Sequence, residues 1–130
     1  MELAGASYPK SLNGNNIKPY QGKSLVPAFK GSVSNRGPLF FEHEADRAVI
    51  DGEWKLVSTK SLKAPYEGKW ELYNVSEDRA EENNLIDKHP KIALELEQKW
   101  NVWAKENNVL PLDARGWTVK IKSDIHTSKK

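Results

Sequence analysis

The sequence has no cysteine, and this absence excludes several kinds of site at once. Without a thiol the chain forms no disulfide, holds no metal through thiolates and attacks no substrate through a cysteine nucleophile. Long apolar runs are also missing: no stretch approaches the ~20 residues that span a bilayer, so we expect no membrane partner. Residues 1–6 lack the basic start of a secretory signal peptide, and this absence does not place the protein in a compartment.

An excess of charge of one sign is absent as well. The chain carries 20 basic and 18 acidic residues, a formal net charge of +2, which is too balanced to indicate a nucleic-acid partner. Its three histidines, at positions 43, 89 and 126, lack the spacing of a zinc site. The sequence also contains no glycine-rich phosphate loop and no nucleophile elbow.

Turn-forming residues dominate the first part of the chain. Residues 1–6 are predicted to be the end of a helix that Gly5 closes. Residues 7–37 are predicted to be an extended connector, with one helical turn within Ser24–Lys30, because proline and glycine interrupt them repeatedly. We therefore assign residues 1–37 to a connector with a remnant helix end. The interrupting residues are Pro9, Gly14, Pro19, Gly22, Pro27, Gly31 and Gly37.

Residues 38–75 are predicted to form an antiparallel meander of about four short strands. Asp51-Gly52 favours a tight hairpin, because both central positions of that turn need positive φ, and Asp46 and its neighbours are expected to turn the chain before it. Alternation places Trp54 and Leu56 on one face of their strand. The predicted strands lie at Leu39–Phe41, Arg47–Ile50, Glu53–Ser58 and Trp70–Val75.

Residues 90–107 have the periodicity of an amphipathic helix, with Pro90 at its first position. We therefore predict an α+β fold over residues 38–112, a small antiparallel sheet of about four strands with one long C-terminal helix packed on one face. Residues 113–130 are predicted to be an edge strand around Trp117 or a mobile basic tail. The apolar stripe of the helix spans roughly 120° and contains Ile92, Ala93, Leu96, Trp100, Trp103 and Ala104.

Three blocks of sequence, in this order, resemble the C-terminal subdomain of an arylsulfatase. They are the connector through Gly22-Lys23-Ser24-Leu25, the meander with Phe41-Glu42-His43-Glu44-Ala45-Asp46-Arg47-Ala48-Val49 and Asp51–Val57, and the strand Trp70-Glu71-Leu72-Tyr73-Asn74-Val75 with the helix after it. The resemblance covers residues 1–112. It implies that the chain is a fragment of a sulfatase, packs on an N-terminal catalytic domain as its partner and shapes the pocket for an aryl or carbohydrate sulfate.

The resemblance also implies which chemistry lies elsewhere. Sulfatases hydrolyse sulfate esters with a formylglycine made in Cys/Ser-x-Pro-x-Arg, beside a calcium ion, and both belong to the N-terminal domain. The nearest string here, Ser7-Tyr8-Pro9-Lys10-Ser11, has Ser11 where arginine is required. The acidic and amide residues of 77–84 are interpreted as a solvated turn rather than a calcium site. We therefore expect no catalytic residue and no cofactor in this chain, and no activity by it alone. The resemblance implies a periplasmic or secreted location, as is common for the parent family.

Rim residues of the pocket are the remaining site candidates. Sulfatases of this type commonly have Glu-His-Glu-Gly-Asn-Arg-Ala at or near the rim, which implies rim positions for His43, Glu44, Asp46 and Arg47. The planar guanidinium of an arginine suits a sulfate because it donates two parallel hydrogen bonds. The structural alternative is that Arg47 pairs with a local carboxylate in a turn. Ala45 and Asp46 depart from the family pattern.

Two functions of other classes stay open. In the first, the chain is a stand-alone module that binds anionic glycans through Trp117 and the lysines at positions 60, 63, 120, 122, 129 and 130. In the second, it has a structural or oligomerisation role, which predicts an exposed apolar patch. A contact with a catalytic domain predicts a similar patch, located in the connector and residues 1–30.

Overall fold

The computed structural model describes residues 1–32, 36–63 and 67–115. The chain divides into two compact units, Met1–Arg36 and Gly37–Lys130. In the described residues, no helix combines the length and the apolar character needed to cross a membrane.

The first unit consists of short elements. A single 3-10 turn at Glu2–Ala4 is closed by Gly5 at φ 67°, so the predicted glycine cap is confirmed. Strands β1 (Ser11–Leu12) and β2 (Asn15–Asn16) pair antiparallel, and helix α1 (Val26–Phe29) confirms the predicted helical turn.

The β1–β2 hairpin was not predicted, although its turn has a recognisable sequence. Asn13 and Gly14 both adopt positive φ, at 51° and 81°. An Asn-Gly pair is the common choice for a two-residue turn of this kind. The flanking strands have only two residues each, so no alternation of polar and apolar residues marks them.

The second unit contains one antiparallel sheet with the strand order β3-β4-β5-β6. The strands are β3 (Leu39–His43), β4 (Asp46–Asp51), β5 (Trp54–Ser58) and β6 (Glu71–Asn74). Each strand pairs with the next one along the chain, which confirms the predicted meander. Residues 113–130 were predicted to be an edge strand or a mobile basic tail. From residue 116 onward, this prediction lies outside the described residues.

One of the two predicted turns of the meander is displaced by one residue. Asp51 pairs with Trp54, so the β4–β5 turn consists of Gly52 and Glu53, and the prediction of an Asp51-Gly52 turn was wrong by one position. Only the glycine of that turn has positive φ, at 60°. The β3–β4 turn consists of residues 44 and 45, directly before Asp46, and this agrees with the prediction that Asp46 and its neighbours turn the chain.

Helix α2 (Pro90–Glu106) packs on one face of the sheet, as predicted. Trp100 is fully buried, and its Nε1 donates a 3.0 Å hydrogen bond to the carbonyl oxygen of Phe41. Leu56 and Leu72 supply the sheet side of this core. The α+β architecture is therefore confirmed. The buried core contains Ala45, Val49, Leu56, Leu72, Ala93, Leu96, Trp100, Ala104 and Leu112.

The outer edge of β6 is covered by the chain that leads to α2. The amide of Leu72 donates to Asn84 Oδ1 at 3.1 Å, and the amide of Leu85 donates to the carbonyl oxygen of Leu72 at 2.7 Å. An edge strand protected in this way has fewer free backbone groups to pair with another chain.

Candidate functional site

The four predicted rim residues lie at the end of the β3–β4 hairpin. In the register of the two strands His43 faces Asp46 and Glu42 faces Arg47. Side chains alternate between the faces of a sheet, so His43 and Asp46 share one face while Arg47 points to the face that carries α2. The four residues thus lie at one end of the hairpin, but their side chains do not all point to the same face of the sheet.

A concave surface of about 360 Å³ lies at this end of the hairpin. Three of the predicted residues line it, and Glu44 does not. Glu42 and apolar side chains of β3, β4 and β5 form the rest of its wall. The lining residues are Phe40, Phe41, Glu42, His43, Asp46, Arg47, Ala48 and Val57.

The guanidinium of Arg47 lies inside the unit, and the residue is only 7% exposed. Its Cζ lies 4.1 Å from the ring centroid of Trp70 and 5.4 Å from that of Trp100, and its Nη2 donates to the carbonyl oxygen of Gly68 at 3.2 Å. A cation over an aromatic face is attracted by the ring's quadrupole. Arg47 therefore fastens the β5–β6 loop to the sheet and the helix.

The surroundings of Arg47 also act on its charge. Burial lowers the pKa of Arg47 because it penalises the charged form, and the nearby carboxylates of Glu67 and Glu97 oppose this shift. In the described part of the chain Arg47 forms no ion pair within 4.0 Å. The alternative prediction was that Arg47 pairs with a local carboxylate in a turn. In the structure Arg47 instead stacks on Trp70.

The two acidic candidates hold the hairpin to the start of the β5–β6 loop. Asp46 Oδ1 accepts a 2.7 Å hydrogen bond from the amide of Lys60, and Lys60 Nζ lies 3.3 Å from Glu44 Oε2. Within the turn, the amide of Ala45 donates to Glu42 Oε1 at 2.8 Å. These contacts fix the position of the hairpin end.

His43 is the exposed member of the set. It is the last residue of β3, and its partner in the register is Asp46. An imidazole at this position can donate to or accept from a group that approaches the concave surface. By contrast, His89 stands at the N-cap of α2, and its ring centroid lies 5.1 Å from that of Trp54.

The acidic turn after β6 is organised by one carboxylate. Asp78 accepts hydrogen bonds from the amides of Glu82 at 3.2 Å and Asn83 at 2.8 Å. The bond from Asn83 and then that from Glu82 lower the pKa of Asp78, because they stabilise its charged form. Within the ranges that the structure describes, no three acidic or histidine side chains are arranged to hold a metal ion.

Sequence reasoning missed the partners of Arg47. Trp70 was predicted to begin the last strand, but its contact with an arginine carries no sequence signature. Gly68 lies between the strands predicted at Glu53–Ser58 and Trp70–Val75. Its close approach to Thr59 shows only in three dimensions, because a Cβ added to Gly68 would lie 1.5 Å from the carbonyl oxygen of Thr59.

Comparisons with known proteins bear on the family. No family model matches the chain. An uncharacterized sulfatase of Schizosaccharomyces pombe is 31% identical over 117 residues, which cover 85% of this chain and 20% of that protein. The chain therefore spans about a fifth of the length of this curated relative.

Solved structures share the fold. A Bacteroides thetaiotaomicron protein, labelled a 6S-sulf and described with the metabolism of multiple glycosaminoglycans, aligns at a TM-score of 0.61 and 18% identity. That alignment covers 80% of this chain and 23% of the other. The protein Ps i-CgsB aligns at a TM-score of 0.57 and 18% identity, over 95% of this chain and 26% of its own.

The fold and the fission yeast relative together define the class. The sequence match to one part of a sulfatase supports assigning the chain to the sulfatase family as a domain, and it corresponds to part of the length of such a protein. The resemblance stated from the sequence is confirmed.

Proposed function

We propose that this chain is the C-terminal subdomain of a sulfatase that hydrolyses aryl or carbohydrate sulfates. In this role it packs on a catalytic domain and shapes one side of the substrate pocket. The formylglycine nucleophile and the calcium ion belong to that catalytic domain, and the chain alone is inactive. The relative's greater length supports this proposal, since four fifths of that sulfatase lie outside the matched part.

The observation that carries the proposal is the surface of the unit Met1–Arg36. None of its described residues is buried. A segment that buries no apolar side chain gains little to offset the entropy lost on ordering. Leu25 is 68% and Phe29 is 70% exposed. The exposed large apolar residues of this unit are Met1, Leu3, Tyr8, Leu12, Tyr20, Leu25 and Phe29.

Several of these side chains line one apolar hollow of about 470 Å³ within the unit. Leu3, Tyr8 and Tyr20 form part of its wall, and the rings of the two tyrosines meet edge to face at 5.2 Å. Large exposed apolar patches mark interaction surfaces. The apolar hollow lies within residues 1–30, where we expect the contact with a catalytic domain.

The sequence indicated four rim residues, and we now propose only one of them for contact with the substrate. His43 is exposed at the concave surface, so it is the residue that we expect to meet a sulfated substrate. Asp46 and Glu44 position the hairpin, and Arg47 supports it from beneath. In the whole sulfatase we expect His43→Ala to raise KM several-fold and leave Tm unchanged, and Arg47→Ala to lower Tm.

Sulfate release by the chain alone tests the proposal. The chain is incubated with an aryl sulfate and with a sulfated disaccharide, with and without Ca²⁺, and free sulfate is measured. We expect no release above the protein-free control. Sulfate release that the purified chain sustains, and that heat denaturation abolishes, would contradict the proposal.

A further inference from the structure

Three buried hydrogen-bond donors lie on the helix-side face of the sheet without a protein acceptor. Among the described residues, none accepts a hydrogen bond from Arg47 Nε, Ser58 Oγ or Trp70 Nε1, and all three atoms are inaccessible to solvent. Arg47 is 7% exposed and Ser58 is 1% exposed. A buried donor without a partner destabilises the folded state, and the cost is greater when the group is charged.

The three side chains belong to one cluster. Arg47 and Ser58 are direct partners in the register of β4 and β5. The guanidinium of Arg47 lies over the ring of Trp70. Gly68 joins the two contacts, because its carbonyl oxygen accepts from Arg47 Nη2 and a Cβ built on it would lie 2.9 Å from Ser58 Oγ.

The donors and acceptors within the cluster determine which kind of group can bind there. Nε of an arginine and Nε1 of a tryptophan only donate, whereas a serine hydroxyl donates and accepts. The nearest oxygen, that of Gly68, accepts from Nη2 and leaves Nε unpaired. The cluster is therefore short of acceptors, and it contains a buried positive charge that no carboxylate pairs with in the described residues.

We propose that a small buried acceptor, either a water molecule or a halide ion, bridges Arg47 Nε, Ser58 Oγ and Trp70 Nε1. Buried waters typically make two to four hydrogen bonds to polar groups that otherwise lack partners. A halide satisfies the same donors and also offsets the charge of Arg47. The bound acceptor fastens the β5–β6 loop to the sheet beneath the candidate rim.

Replacement of Ser58 by alanine tests this proposal through the sign of the change in stability. The two side chains have similar volume, so the substitution leaves no large cavity. If the acceptor is present, Ser58→Ala removes one of its hydrogen bonds and lowers Tm by several degrees. If the hydroxyl has no partner, its removal relieves a penalty, and an unchanged or higher Tm would overturn the proposal. Ser11→Ala, on the exposed strand β1, is the control.

Crystals of the chain grown in sodium bromide and in sodium chloride identify the acceptor. A peak within hydrogen-bond distance of at least two of the three donors, with anomalous signal in bromide, assigns a halide. The same peak without anomalous signal assigns a water. An ordered cluster with no density peak at the donors would overturn the proposal.

Discussion

Gly68 is a residue at which no side chain fits. A Cβ at this position would lie 1.5 Å from the carbonyl oxygen of Thr59 and 2.7 Å from its carbonyl carbon, so the backbone of one segment must move. The loop that would move also carries the acceptor for Arg47 Nη2. A single methyl group here therefore disturbs both the loop and the stacked arginine.

We expect Gly68→Ala to lower the free energy of unfolding of the second unit by about 3 kcal/mol, the upper part of the range for inserted atoms. Gly22→Ala is the matched control, because a Cβ at Gly22 meets nothing within 4 Å. Chemical denaturation of both variants, followed by tryptophan fluorescence, measures the difference. Equal midpoints for the two variants would show that the close contact is absent.

Ala45 occupies a backbone conformation that suits glycine. Its φ is 74°, and a non-glycine residue in the left-handed region costs about 1–2 kcal/mol. The sulfatase pattern that this segment resembles has glycine at the same position. The methyl group of Ala45 is nevertheless fully buried in the core, so relief of strain and loss of packing oppose each other.

Comparison with Ala48 separates these two effects. Both alanines are buried, but only Ala45 is among the residues with positive φ. We expect Ala45→Gly to destabilise the chain by at least about 1 kcal/mol less than Ala48→Gly, since only the first substitution relieves strain. Thermal unfolding of the two variants gives the comparison. A larger loss for Ala45→Gly would contradict the assigned turn geometry.

At the scale of elements, the connection from β6 to α2 depends on the ionised carboxylate of Asp78. A carboxyl group in an unfolded chain has a pKa of about 3.9, and the amides of Asn83 and Glu82 lower the pKa of Asp78 in the folded chain. The stabilisation is therefore fully present above the unfolded pKa, and it is lost as the pH falls through the lower, folded pKa.

We expect Asp78→Ala to be less stable than the unsubstituted chain at pH 7, and this difference to shrink as the pH falls below about 4. Urea midpoints at several pH values measure it. Glu77→Ala, at the exposed neighbouring position, serves as the control for lost surface charge. A difference that stays constant down to the lowest pH would argue against hydrogen bonds to the charged form.

The regular elements could be predicted because each has a period. Alternation over β5 placed Trp54 and Leu56 on one face, and the 3.6-residue repeat placed Trp100 in the core. The turns were less predictable, since Glu44 has positive φ without any glycine to mark it. The contact of Gly68 with Thr59 depends on the path of the β5–β6 loop, which no local pattern determines.

At the scale of the whole molecule, the two units differ in what holds them. The second unit has a core around Trp100, whereas the described residues of Met1–Arg36 bury none of their side chains. The four candidate rim residues were chosen from the sequence as one segment, and their role at a pocket stays a prediction. The sequence did not show that these side chains lie on two faces of the sheet. The register places His43 and Arg47 on opposite faces, and Arg47 lies against Trp70.

The central claim is that this domain acts as part of a sulfatase with a separate catalytic domain. The most direct test is the genomic sequence of the source organism on both sides of the region that encodes the chain. We predict an open reading frame that continues upstream of Met1 and encodes a Cys/Ser-x-Pro-x-Arg motif. A stop codon and a ribosome-binding site directly before Met1, with no sulfatase motif encoded nearby, would contradict the claim.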